Sequence, residues 1–153
     1  MTTRTIIGID PGQIGGIAIV GPDMLDAVKM PDTERDVFEL LAEWAPLASR
    51  AVIEQVGVMP KEGVRSAFTF GRGYGGLRMA LIALRMPFQA VAPGVWQRPF
   101  NLPTGKGGKT AKKNVHKARA QEMFPSLKIT HAIADALLIA EWGRRCVLEA
   151  RDE

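Results

Sequence analysis

The chain has 153 residues, 46% hydrophobic and 24% charged, which suits one domain (1–153) with its own core. No apolar run reaches membrane-spanning length and MTTRT lacks a signal-peptide core, so no membrane association is expected; the single cysteine, Cys146, excludes an intrachain disulfide and a cysteine-based zinc site, and fits a reducing cytoplasm. The net charge of +4 is unevenly spread: residues 1–54 hold 4 Lys/Arg and 9 Asp/Glu, whereas residues 55–119 hold 12 Lys/Arg and one acid, Glu62, a bias that suits a polyanionic partner, most simply nucleic acid.

TIIGID (5–10) reads as a buried strand, GGIAIVG (15–21) as its hairpin partner and MLDAVKM (24–30) as a third, edge-like strand. PDTERDVFELLAEWAPL opens on a capping Asp or Thr and carries Val37, Leu40, Leu41 and Trp44 at helical spacing. RAVIEQV (50–56) is a short strand bearing Glu54, residues 63–85 are a Gly-rich helix, and PFQAVAP (87–93) is the fifth strand. GVWQRPF reads as a short helix or turn, NLPTGKGGKTAKK (101–113) as a Gly/Lys loop, 114–124 as a helix and 131–150 as the final helix. This order predicts an α/β domain: a mixed five-stranded sheet of order 3-2-1-4-5 flanked by helices, with the first strand central and the fourth parallel to it. Asp10 and Glu54 then end adjacent strands at one sheet edge.

Two carboxylates so placed repel each other and need a cation nearby. A third acid, Asp135, stands among small and apolar residues in HAIADALLIA. Each has a structural reading alone: a turn-opening Asp-Pro-Gly, an exposed strand end, an acid favoured by the helix dipole. Together they favour an oxygen-ligand site for a hard cation, Mg²⁺ with Mn²⁺ as substitute, suited to phosphodiester hydrolysis. His131, four residues before Asp135 on the same helix face, is a fourth ligand, a general base or a helix-start histidine.

IGIDPG, IEQV and ADALLIA, in this order and spacing, resemble the RuvC-type Holliday junction resolvases, phage versions included. SAFTFGRGYG (66–75) and the Lys-rich segment before a helix ending in FP are similar to the family as well. The resemblance covers nearly the whole chain. It implies an RNase H-like fold, a homodimer, a bacterial or phage-infected cytoplasm, and Mg²⁺-dependent paired nicking of four-way DNA junctions. Asp10, Glu54 and Asp135 would be the metal-binding catalytic acids. One departure stands out: the family commonly has an Asp or His three residues before the last acid, and here that position is Ala132. Two alternatives stay open: His131, on the same helix face, substitutes, or Ala132 is a natural or engineered loss of a ligand, for which a junction-binding chain with impaired cleavage is expected.

On the DNA side, TGKGGKTAKKNVHKAR (104–119) has five Lys and one Arg and no acid. It does not meet the P-loop spacing, so no nucleotide cofactor is expected. Lys106, Lys109, Lys112, Lys113 and Lys117 are candidate phosphate contacts, with Lys109 or Lys113 a candidate for the scissile phosphate. Arg65, Arg72 and Arg78 extend the basic surface. Phe68, Phe70 and Tyr74 suit base stacking, a core or a subunit interface, and Gly71, Gly73, Gly75 and Gly76 permit close helix approach. Trp96 reads as a packing residue. The competing functions are another RNase H-like nuclease, acting on RNA or branched DNA, and a junction-binding module that cuts poorly. An actin-like ATPase needs two such domains and a much longer chain.

Overall fold

Strand alternation decides the layering. In β1 (Ile6–Asp10), Ile7 and Ile9 face one side of the sheet while Ile6 and Gly8 face the other. The protein is described from a computed structural model covering residues 4–103 and 108–150. β2 (Gly16–Val20) pairs antiparallel with β1, and β3 (Leu25–Lys29) antiparallel with β2. After helix α1 (Glu34–Trp44), β4 (Arg50–Glu54) runs parallel to β1, and after α2 (Val64–Ala83), β5 (Phe88–Val91) runs parallel to β4. The sheet order is β3-β2-β1-β4-β5, as the sequence predicts. Short α3 (Pro93–Gln97), α4 (Lys109–Met123) and α5 (His131–Glu149) complete the chain.

One face of the sheet presents Ile7, Ile9, Ile17, Ile19 and Ile53 to Leu41 and Trp44 of α1 and to Leu77 and Leu81 of α2. Thr33 starts α1, its hydroxyl oxygen accepting from the Asp36 backbone N–H at 3.1 Å. The other face presents Ile6, Ala18, Val20 and Val52 to α5, with Trp96, Phe100, Ala120 and Phe124 behind. Contact with α5 is close enough to demand glycine: a Cβ on Gly8 would overlap the Ala136 carbonyl and the Ala140 backbone, and one on Gly16 would overlap the Ala132 carbonyl.

One expected boundary is corrected. The helix expected over 114–124 begins five residues earlier, so Lys109, Lys112 and Lys113 lie on a helix rather than in a loop. Once past Gly108, KTAKK contains no glycine and is rich in helix-forming Ala and Lys, so the helix continues back to that residue.

Candidate functional site

The parallel register sets Ile9 opposite Ile53, so the next residues, Asp10 and Glu54, end neighbouring strands. Both continue the alternation of Gly8 and Val52, which directs them to the α5 face. Asp135 comes from α5, between Ala132 above Gly16 and Ala136 above Gly8. The three acids gathered from the sequence are therefore electrostatic neighbours. Burial, followed by the charges of Asp135 and Glu54, holds the Asp10 carboxyl well above its ordinary range, against the pull of Lys113. Burial likewise raises Glu54 to about 7; an indole hydrogen bond from Trp96 opposes this, Asp135 adds to it, and His116 opposes it.

Two residues that sequence reasoning missed as site residues complete the cluster. Trp96 is fully buried, and its Nε1–H donates to Glu54 Oε2 at 2.7 Å. His116 of α4 is buried, with Nδ1 2.7 Å from Asp135 Oδ1. Its signal in the sequence was position: four residues before Ala120 and eight before Phe124, both buried, it falls on the core-facing side of a helix. His131 is exposed at the start of α5, whereas His116 is among the charges acting on Glu54. Ala132 is half-buried against the strand that begins at Gly16.

The donor set fits a hard divalent cation in chemistry: Asp10, Glu54 and Asp135 act on one another's charge, and burial raises the pKa of Asp10 and Glu54, so the group lacks enough positive charge. Among the described residues no three His, Cys, Asp or Glu side chains converge as a ready-made ligand cluster. Glu54 has one oxygen turned to Trp96, and Asp135 has one turned to His116.

The basic residues divide. Lys109, Lys112, Lys113 and Lys117 lie along α4, with Lys113 near enough to Asp10 to act on its charge. Lys106 lies outside the described residues. Arg65 is exposed near the start of α2. Arg72 pairs with Glu34 at 3.0 Å, both exposed, and Arg78 lies over the rings of Tyr74 and Phe88 at 5.8 and 5.5 Å. These arginines belong to the helix on the sheet face opposite α5. Phe70 and Tyr74 stack on each other, ring centroids 6.4 Å apart, while Phe68 stays exposed.

A Thermus thermophilus RuvC structure superposes with a TM-score of 0.62 at 16% identity, covering 95% of this chain and 96% of that one. Similar too is T. thermophilus RuvC in complex with a Holliday junction substrate, with a TM-score of 0.61, 20% identity and the same coverage. The chain has the RuvC-type, RNase H-like fold. The yeast mitochondrial Holliday junction resolvase Ydc2 shares this fold at 12% identity and a TM-score of 0.53, covering 99% of this chain and 81% of that one. No protein-family model matches the chain, and no curated protein sequence does. The RuvC-type fold is thus legible here from backbone geometry. Among the described residues no helix is long and apolar enough to cross a membrane.

Proposed function

We propose that the chain is a metal-dependent endonuclease that resolves four-way DNA junctions by paired hydrolysis of phosphodiesters. The observation that carries this reading is that Asp10, Glu54 and Asp135 lie near enough to act on one another's charge, with Lys113 of α4 acting on Asp10. The RuvC-type fold supports it, since one similar structure holds a Holliday junction substrate. Asp10, Glu54 and Asp135 would hold Mg²⁺ or Mn²⁺. Such an ion supplies an activated water and charge stabilisation at the phosphoryl oxygens. Lys113, whose charge acts on Asp10, would meet the phosphate that is cut, and Lys109, Lys112 and Lys117 would hold flanking phosphates without reading sequence.

Two-fold symmetry in the junction calls for a two-fold protein. Exposed Val64, Phe68, Met79 and Ile82, with Gly71 and Gly75 between them, recur every three or four residues along α2. This apolar stripe, open along its glycines, is the surface we assign to a second copy of the chain.

A second reading has its own support. His131 is exposed, Ala132 carries no ligand, and no three ligand side chains converge among the described residues. A chain that binds junctions but cuts slowly fits these facts. One experiment separates the readings: nicking of a labelled four-way junction and of linear duplex, in Mg²⁺ and in chelator, with Ala132→Asp alongside. Metal-dependent paired nicks in the junction by the unaltered chain support the resolvase. Binding without nicking, rescued by Ala132→Asp, supports the impaired form. Neither binding nor nicking of the junction rejects both and turns attention to RNA.

A further inference from the structure

Glu54 and Asp135 sit on different elements, yet each is held by one of two aromatic rings that touch. Trp96 Nε1–H donates to Glu54 Oε2 at 2.7 Å, and His116 Nδ1 lies 2.7 Å from Asp135 Oδ1. The indole and imidazole meet edge to face, centroids 5.8 Å apart at 77°. Opposite an ionised carboxylate, which only accepts, it is the Nδ1–H tautomer of His116 that makes this hydrogen bond. Each carboxylate thus commits one oxygen to a ring and, among the described hydrogen bonds, keeps the other uncommitted.

Packing alone is a poor account of His116. Its side chain is only 10% exposed, and Nε2 is buried with no partner among the described residues. Burying an unpaired polar atom costs stability, a cost that a leucine or methionine in the same space would not incur. The ring is explained by what its other nitrogen holds.

We propose that His116 and Trp96 form a positioning clamp that orients Asp135 and Glu54 to receive a divalent cation. The clamp rests on the reading of the carboxylates as metal ligands. Neither ring is a catalytic residue: each acts through the acid it holds. Partners of this kind, one step behind the ligands, typically contribute 10- to 100-fold in metal affinity.

The test measures Mn²⁺ binding by calorimetry on the full chain without DNA, with circular dichroism to check folding and junction nicking measured in parallel. Asparagine at 116 puts its amide nitrogen where Nδ1 stands, whereas glutamine reaches instead toward the place of Nε2. His116→Asn is expected to bind Mn²⁺ within about threefold of the unaltered chain, and His116→Gln about tenfold or more weaker. Trp96→Phe keeps a buried ring and loses only the N–H donor; about tenfold weaker binding is expected. His116→Asn as weak as His116→Gln overturns the clamp, and so does unaltered affinity in both His116→Gln and Trp96→Phe. Absence of Mn²⁺ binding by the unaltered chain overturns it as well. If the unaltered chain binds Mn²⁺ and the variants behave as expected, but no junction is nicked, the clamp stands and the resolvase reading falls. If the junction is nicked while the variant affinities are unchanged, the resolvase reading stands and the clamp falls.

Discussion

The two long helices of this protein cover opposite faces of one sheet and are built for different purposes. α5 buries nine of its 19 residues and lies so close that Gly8 and Gly16 leave no room for a side chain. α2 has 20 residues and buries only Leu77, Ala80 and Leu81, all in its second half. At about 1.5 Å per residue it spans roughly 30 Å, whereas a five-residue strand spans about 17 Å, so its exposed first half runs beyond what the sheet can cover. Close burial fixes Asp135 over the ends of β1 and β4, while α2 leaves an apolar stripe uncovered. The two glycine groups make the same point: those beneath α5 are forced by backbone contact, and those on α2 face open space.

The contrast between the helices is tested most severely at the acid under α5. Asp10→Asn is expected to lower junction nicking on the order of a thousandfold while leaving junction binding in chelator intact. Equal loss of binding, read by gel shift, would show that the acid serves folding rather than chemistry. Next comes the contact itself. Gly8→Ala should cost about 3 kcal/mol or more, because the new methyl meets backbone that cannot turn aside. Denaturant unfolding checks this, and a variant as stable as the parent would mean α5 is free to lift.

A further effect of similar size concerns pH. Glu54 has its pKa raised from 4.5 to about 7, and Asp10 is raised as well, both first by burial. The folded chain therefore keeps protons that the unfolded chain has released. Without metal, stability should fall as pH climbs from about 4.5 to about 7, then level off, by on the order of 3 kcal/mol for Glu54. Thermal melts in chelator across that range test it: Glu54→Gln should flatten the slope, and a parent curve that rises with pH would contradict the burial of these acids. The smallest effect belongs to the open helix. Gly75→Ala meets nothing within 4 Å, so it should stabilise an isolated subunit by about 0.5–1 kcal/mol, opposite in sign to Gly8→Ala. If α2 is where two copies meet, the same change weakens their association in sedimentation; unchanged association places the second copy elsewhere.

Sequence carried the fold a long way because the signals were local. An apolar run ending in Asp10, a Pro-Gly turn and an answering run specify a hairpin, and an apolar run ending in Glu54 then adds a parallel neighbour. Asp135 stood out because its neighbours on the helix are small and apolar. His116 and Trp96 did not stand out, since their partners lie 19 and 42 residues away and the pairing exists only once α3, α4 and α5 have packed. The partner of Arg72 was likewise hidden: Glu34 is 38 residues distant, although the pair itself stays exposed on the surface. The start of α4 was obscured by glycines at 105, 107 and 108, which draw a loop reading across lysines that are helical.

At the turn after Asp10, Gly12 adopts a φ of +109°, and the ring of Phe70 on α2 lies 3.3 Å from where a Cβ would stand. The turn that follows the first acid therefore lies against the helix that faces outward. Binding equilibria joined by such a contact obey reciprocity. If, as proposed, Asp10 helps to hold a cation and α2 receives a second copy, a second copy that shifted Phe70 would alter the affinity for the cation, and the cation would alter the hold of the second copy by the same factor.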